Sequence, residues 1–393
     1  MTAMNMTLEK LHTHIDRILP TIIDIRHTLH QHPEIAGDEH ETRKMLLSHV
    51  NKLDVLLWQP KLETDLVFEI PGKDPGRVIG LRADMDALPM NEQHPPAYGS
   101  KNHGMMHACG HDGHMAMLLG AAMVLASARD LLPNTVRFIF QPGEEVACMG
   151  AELTAKGVCD GLEAVYALHN WPGLPAGVVS TKPGTFFAAA NTFSLKLRGT
   201  GTHGATPEKG NTPLIPAAVL VEALTGLHEQ VSANGEGVVS VCMVQGGHNT
   251  NIIPSECTVA GTTRYIDTSV GDMIEMRIRQ IAEEISKRYD IPIDVAYERK
   301  YHLPLINDEE KASVVAQTAE KVLGEQYYLE APLHAMTAED FAFYLDRVPG
   351  CMFWLGAGEQ WAPLHAATFD FNDQILKTGI LMFCALALGD RLE

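Results

Sequence analysis

No apolar stretch in this 393-residue sequence reaches membrane-spanning length; the richest, residues 115–126, is too short. The opening residues 1–10 hold no basic region leading into an apolar core and a small-residue cleavage site, so no secretory leader is expected. Basic residues are scarce. Lys and Arg number 30 against 49 Asp and Glu, a formal charge of −19, which disfavours a phosphate backbone or an anionic membrane as partner. A disulfide framework is missing too. The seven cysteines are odd in number and scattered, which suits a reducing compartment with Cys109 as a free thiol. Repeats and low-complexity tracts are absent. The expectation is a cytoplasmic protein that binds neither nucleic acid nor membrane.

What is present is the composition of a folded chain, 46% hydrophobic and 20% charged, long enough for about two domains. Residues 7–31 read as one or two amphipathic helices, with a break expected at Pro20. Short apolar strands then alternate with helical segments. Residues 78–81 run into Asp84 and Asp86, 136–140 into Glu144 and Glu145, 164–168 into His169, and 352–355 into a Gly-rich loop and His365. Asp112 can cap a long helix ending near Leu131, and can equally serve as a carboxylate that orients an imidazole. This alternation predicts an α/β fold with a mostly parallel sheet flanked by helices, whose ligands bind beyond the carboxyl ends of the strands. Between 191 and 297 the order changes to βαββαβ, a ferredoxin-like α+β unit. The expected boundaries are 1–188 and 301–393 for two parts of a metal-binding domain, with 189–300 inserted between them.

The densest chemistry is His107-Ala108-Cys109-Gly110-His111-Asp112-Gly113-His114, with a thiol and an imidazole two residues apart on a bend. Both are ligands for zinc and other first-row divalent ions. Cys109, His111, Glu145, His169 and His365 make five candidate ligands from four loops. That suits an open dinuclear catalytic centre better than a closed, local structural zinc site. Glu144 and Glu145 are adjacent in a tight loop and point differently, so one can ligate while the other acts as general base. Asp84 and Asp86 are candidate ligands or, preferably, carboxylates that hold His111 in one tautomer. His12, His14, His30 and His32 lie in helical patterns, where side chains at i and i+2 diverge, and read as surface or packing residues. The G-x-G-x-x-G run at 199–204 follows a strand, but Pro207, Gly210 and Pro213 prevent an immediate helix. It therefore fails as a dinucleotide loop and reads as a way to present His203 to a substrate.

The motifs R-A-D-M-D-A-L-P (82–89), H-A-C-G-H-D-G-H (107–114), Q-P-G-E-E (141–145), A-L-H-N (167–170), H-G-A-x-P (203–207), N-I-I-P (251–254) and A-E-D-F (338–341) follow one another in order. In this the sequence resembles the aminoacylase–carboxypeptidase metallopeptidase family. The branch is the amidohydrolases: hippurate hydrolases, N-acyl-L-amino acid amidohydrolases and auxin-conjugate hydrolases. The resemblance covers essentially the whole chain. It implies a zinc-peptidase-like domain with two divalent ions per subunit, Zn2+ or Mn2+, with Ni2+ or Co2+ as further candidates. Cys109 would replace the bridging Asp of other branches, His111, Glu145, His169 and His365 would complete the site, and Glu144 would be the base. The inserted unit would be a lid and dimerisation domain, giving a homodimer or tetramer. Its His203 would serve the partner subunit's site as oxyanion donor, and its Asn251 and Arg264 would face the substrate. The expected reaction splits an N-acyl amino acid into a carboxylic acid and a free amino acid. A dipeptidase or aminopeptidase using the same centre is one alternative; a non-catalytic metal-binding protein is another. Glu144, which ligation does not need, argues against the second.

Overall fold

The computed structural model describes residues 6–233 and 235–393. The described residues divide into two compact units, one formed by residues up to 186 with 306–333 and 340–393 and the other by 187–305 and 334–339. The first unit is built on an eight-stranded sheet, in the order Leu56–Leu57, Leu66–Ile70, Asn134–Gln141, Asp74–Asp84, Leu162–Pro172, Gly350–Gly358, Val179–Thr181, Tyr328–Glu330. The four central strands are parallel, with Leu81 beside Phe138 and Tyr166, and Leu168 beside Phe353. Strands covered on both faces need near-continuous apolar sequence, and residues 135–141 are buried without interruption. The expected mixed α/β fold with a mostly parallel sheet is present.

The helix His111–Ser127 is buried nearly all round, apolar from Met115 onward, and lies in the main core, with Leu8–Gln31 and Leu376–Leu388 packed on it. Sequence reading of this region is corrected at two points. Pro20 does not break the first helix, which runs unbroken from Leu8 to Gln31. Pro20 sits on the exposed side, where the main-chain oxygen it leaves without a partner is open to solvent, while Ile15, Ile22 and Ile25 hold the buried face. Asp112 is not a cap. Gly110, in the left-handed region at φ 92°, stands at the N-cap, and the helix ends at Ser127 before a short 3-10 turn, Arg129–Leu131. Asp112 is buried and instead accepts from Arg26 and His30, 86 and 82 residues away.

The second unit has a four-stranded antiparallel sheet, ordered Gly237–Gly246, Glu256–Tyr265, Ala189–Arg198, Ile293–Tyr301. The helices Leu214–Ser232 and Thr268–Tyr289 pack on it. Phe193, Leu195 and Leu197 alternate inward as the period of a strand requires. No helix among the described residues is long and apolar enough to cross a membrane.

Candidate metal centre

Four chain segments of the first unit meet at the carboxyl ends of its parallel strands. Cys109 and His111 flank the bend before the core helix. Its Gly110 is required twice over: φ is positive, and a Cβ would lie 2.2 Å from Asn170 Oδ1. Glu144 and Glu145 follow the strand Asn134–Gln141, and His169 lies near the end of Leu162–Pro172. His365 is pinned by its main-chain N–H to Ala108 O at 2.8 Å, in a left-handed conformation, φ 62°, that disfavours a side chain.

The donor atoms form two triads. Cys109, His111 and His169 offer one, and Cys109, Glu145 and His365 the other, each within 4.8 Å mutually. Cys109 Sγ belongs to both. It lies 3.4 Å from His169 Nε2, while Glu145 Oε1 lies 3.0 Å from His365 Nε2 and 3.8 Å from His111 Nε2. Glu144, which is buried, forms a further group within 4.8 Å with His111 and Glu145.

These residues fit divalent cations for reasons visible in their hydrogen bonds. His111 Nδ1 donates to the main-chain oxygen of Asp86 at 2.9 Å, and His169 Nδ1 to that of Asn170 at 2.8 Å. Each of these bonds occupies Nδ1 and leaves Nε2 as the ring nitrogen available to a metal. His111 Nε2 is buried and carries no hydrogen bond, its nearest carboxylate oxygens lying 3.8 Å away. Leaving a buried polar atom unsatisfied costs about 1–3 kcal/mol, so this nitrogen calls for a partner.

The electrostatics agree. Burial pushes the Cys109 thiol well up, and the Glu145 and Glu144 carboxylates push it further. Burial opposes charge on His111, yet Asp84, Asp86 and Glu145 outweigh it and lift the imidazole to about 10. Burial and the neighbouring His114 hold His169 well below its usual range. The field at the donors is negative; it disfavours a thiolate alone and favours a cation, whose charge would in turn stabilise the thiolate.

Around the donors stands a layer that sequence reading resolved only partly. Asp84 Oδ1 accepts from His114 Nδ1 at 2.7 Å and Oδ2 from Arg82 Nη1 at 2.8 Å; Oδ2 lies 3.8 Å from His111 Nε2. Burial opposes its charge, but His111, His114 and Arg82 keep Asp84 well below the usual carboxylate range. Asp86 accepts the main-chain N–H groups of Glu144 and Glu145 at 3.0 and 2.9 Å. His114 and Asn170 were within the motifs but had no assigned task; they meet with Asn170 N–H donating to His114 Nε2 at 3.0 Å. His107, the first imidazole of the run, joins neither triad; burial lowers it to about 4.

The remaining expected residues lie in the second unit. His203 is exposed in the short strand Thr202–His203, paired with Ile252–Ile253, and its Nδ1 accepts from Ala205 N–H at 3.0 Å. Asn251 is exposed, and its main-chain oxygen accepts from Gly204 N–H at 2.7 Å. Arg264 is half-buried, with Nη1 donating to Thr262 Oγ1 at 2.7 Å.

The sequence profile of Peptidase family M20/M25/M40 matches residues 80–389. An N-acetylcysteine deacetylase of Bacillus subtilis (strain 168) is 34% identical over 377 residues, covering 93% of this chain and 96% of its own. An N-acetyldiaminopimelate deacetylase of Enterococcus faecalis is 36% identical over 371 residues, covering 91% and 95%. Among solved structures, a dinuclear metal binding peptidase from the M20 family of Bacillus subtilis superimposes with a TM-score of 0.82 at 30% identity, covering 95% of this chain and 98% of that one.

Proposed function

The chain belongs to peptidase family M20/M25/M40 and is a hydrolase of amide bonds; from that premise we propose that its substrates are N-acyl amino acids, cleaved to a carboxylic acid and a free amino acid at a centre of two divalent cations. The observation that carries the reading is the Cys109 sulfur common to two donor triads. His111 and His169 would complete one cation's ligands, and Glu145 and His365 the other's. Bound there, the cations would polarise the scissile carbonyl and acidify water.

The chain's own residues then divide the work. Glu144, beside the ligand Glu145 but in neither triad, takes the proton from the attacking water and returns it to the leaving amine. His203 accepts from Ala205 at Nδ1, so its ring proton sits on Nε2, the form needed to donate to a developing oxyanion. We assign it that role across a dimer formed by the inserted unit. Asn251 and Arg264 are assigned to the substrate's free carboxylate, for which a guanidinium is suited by its bidentate geometry.

The deciding experiment is a turnover screen of protein reconstituted with Zn2+ or Mn2+, comparing N-acetyl, N-benzoyl and N-indoleacetyl amino acids and N-acetyldiaminopimelate with Gly-Xaa dipeptides. Cleavage of acylated amino acids alone is expected. Preference for substrates with a free amine would replace this reading with a dipeptidase, and no turnover of any amide would end it.

A further inference from the structure

Three consecutive main-chain N–H groups in the Gly143-Glu144-Glu145 turn each meet a carboxylate. Asp86 takes those of Glu144 and Glu145, and Glu39 Oε1 takes that of Gly143 at 2.8 Å. Glu39 lies 104 residues upstream and is fully buried. It stands at the start of the helix His40–Val50 yet makes no cap bond there. Glu34 serves that helix instead, accepting from the N–H groups of Glu41 and Thr42. The second oxygen of Glu39 accepts from Gly37 N–H at 3.0 Å and from Thr64 Oγ1 at 2.9 Å.

A helix start does not require a carboxylate in the interior, and burying one is expensive. Burial, and next to it the charge of Asp86, push Glu39 up to about 7. The side chain nevertheless bridges two places: one oxygen is anchored to the 37–64 region, and the other holds the turn that carries Glu144 and Glu145. Gly143 has φ 62°, and a Cβ there would lie 2.4 Å from Met149 Sδ, so the turn has one tolerated residue at that point and one strong external hold on it.

We propose that Glu39 is a positioning residue for the Glu144–Glu145 turn, fixing the direction in which base and ligand diverge by accepting the Gly143 N–H. The inference rests on the assignment of Glu144 as base. Displacing a catalytic group by about 1 Å can lower turnover about a hundredfold, so the bond has a kinetic signature beyond stability.

Glu39→Met fills the volume and removes the oxygen acceptors. Glu39→Gln retains one oxygen for Gly143; its amide can donate to the Thr64 hydroxyl but cannot accept from Gly37 N–H, so the variant keeps the hold on the turn and gives up one outer bond. Measured per metal-loaded site, Glu39→Met is expected to lose at least about tenfold in kcat with KM within about twofold, and Glu39→Gln to recover most of that kcat. Wild-type kcat in Glu39→Met, or equal kcat losses in both variants, overturns the proposal. If Glu39→Met does not fold, Glu39→Asp takes its place: its charge is retained but it is too short to reach both anchors, and an unchanged kcat would be equally decisive. Glu144→Gln run in parallel separates the two readings. An inactive Glu144→Gln beside a fully active Glu39→Met removes only the positioning role, whereas an active Glu144→Gln removes the base.

Discussion

In the unit built on the eight-stranded sheet, Arg26, His30, Glu39, Arg82, Asp84, Asp86, His111 and Asp112 are all buried. In the inserted unit the ion pairs Arg198–Asp294, Lys196–Glu256 and Lys287–Glu283 lie at the surface, over a core of residues such as Leu195, Leu220, Leu224, Ile274 and Ile278. Buried ion pairs are weak stabilisers, because desolvation offsets much of the attraction. Their use here is orientation. Asp84 fixes His114 and Arg82, and Asp86 fixes the turn of Glu144, so the interior charge orients the groups around the donor atoms. The inserted unit needs no such layer and folds by alternation of apolar and polar positions.

The comparison is broken most severely at Glu144. Glu144→Gln is expected to retain its cations and to lose at least about a thousandfold in kcat, because a carboxamide cannot accept the water proton. Turnover with metal occupancy intact would show that the buried charge here is only structural. Cys109→Ser should lower metal stoichiometry, measured by elemental analysis, since one sulfur stands in both donor triads; unchanged stoichiometry would deny it ligation. The inserted unit is tested at His203. His203→Ala should reduce kcat about a hundredfold with metals bound, and mixing it with Glu144→Gln should restore activity in hybrid dimers. Hybrids as inactive as their parents would exclude action across subunits.

Smaller effects sharpen the contrast in stability. Burial opposes the charged His30, but its hydrogen bonds to Asp112 and Glu92 raise it to about 9, from an ordinary value of 6.5. The folded chain thus binds this proton more tightly than the unfolded chain. The stabilisation it brings is complete below pH 6.5 and is lost as pH rises through about 9. Urea midpoints of wild type and His30→Gln should therefore differ most at pH 6 and converge above pH 9, as an approximate linkage expectation; a constant gap would place His30 outside the titration. Arg198→Ala, in an exposed pair, should leave the midpoint unchanged within error. A clear loss there would mean that surface charge matters as much as buried charge.

Legibility in the sequence followed the range of the interactions. Cys109 and His111 share one bend, and Glu144 and Glu145 one turn, so spacing alone brought them forward. The four loops converge because each follows a parallel strand, which the apolar runs disclosed. Of the two readings of Asp112 the cap fails, and the imidazole it holds is His30, which with Arg26 comes from a distant helix that no local pattern connects to it. Pro20 misled for a related reason: the rule concerns the lost bond, and only the fold shows that this bond faces water. Glu39 gave no signal, since a glutamate before a helix is unremarked until the turn at Gly143 is seen beside it.

The left-handed backbone of His365 has a thermodynamic consequence. A non-glycine residue held in that region carries a strain of about 1–3 kcal/mol. Relaxation of the loop would relieve the strain but withdraw the imidazole, which is half exposed, from Glu145. An ion that binds only the strained form would therefore act as a ligand of the folded state. Loop order, ion occupancy and resistance to unfolding would then be a single linked equilibrium, with apparent stability rising in proportion to the logarithm of free metal concentration.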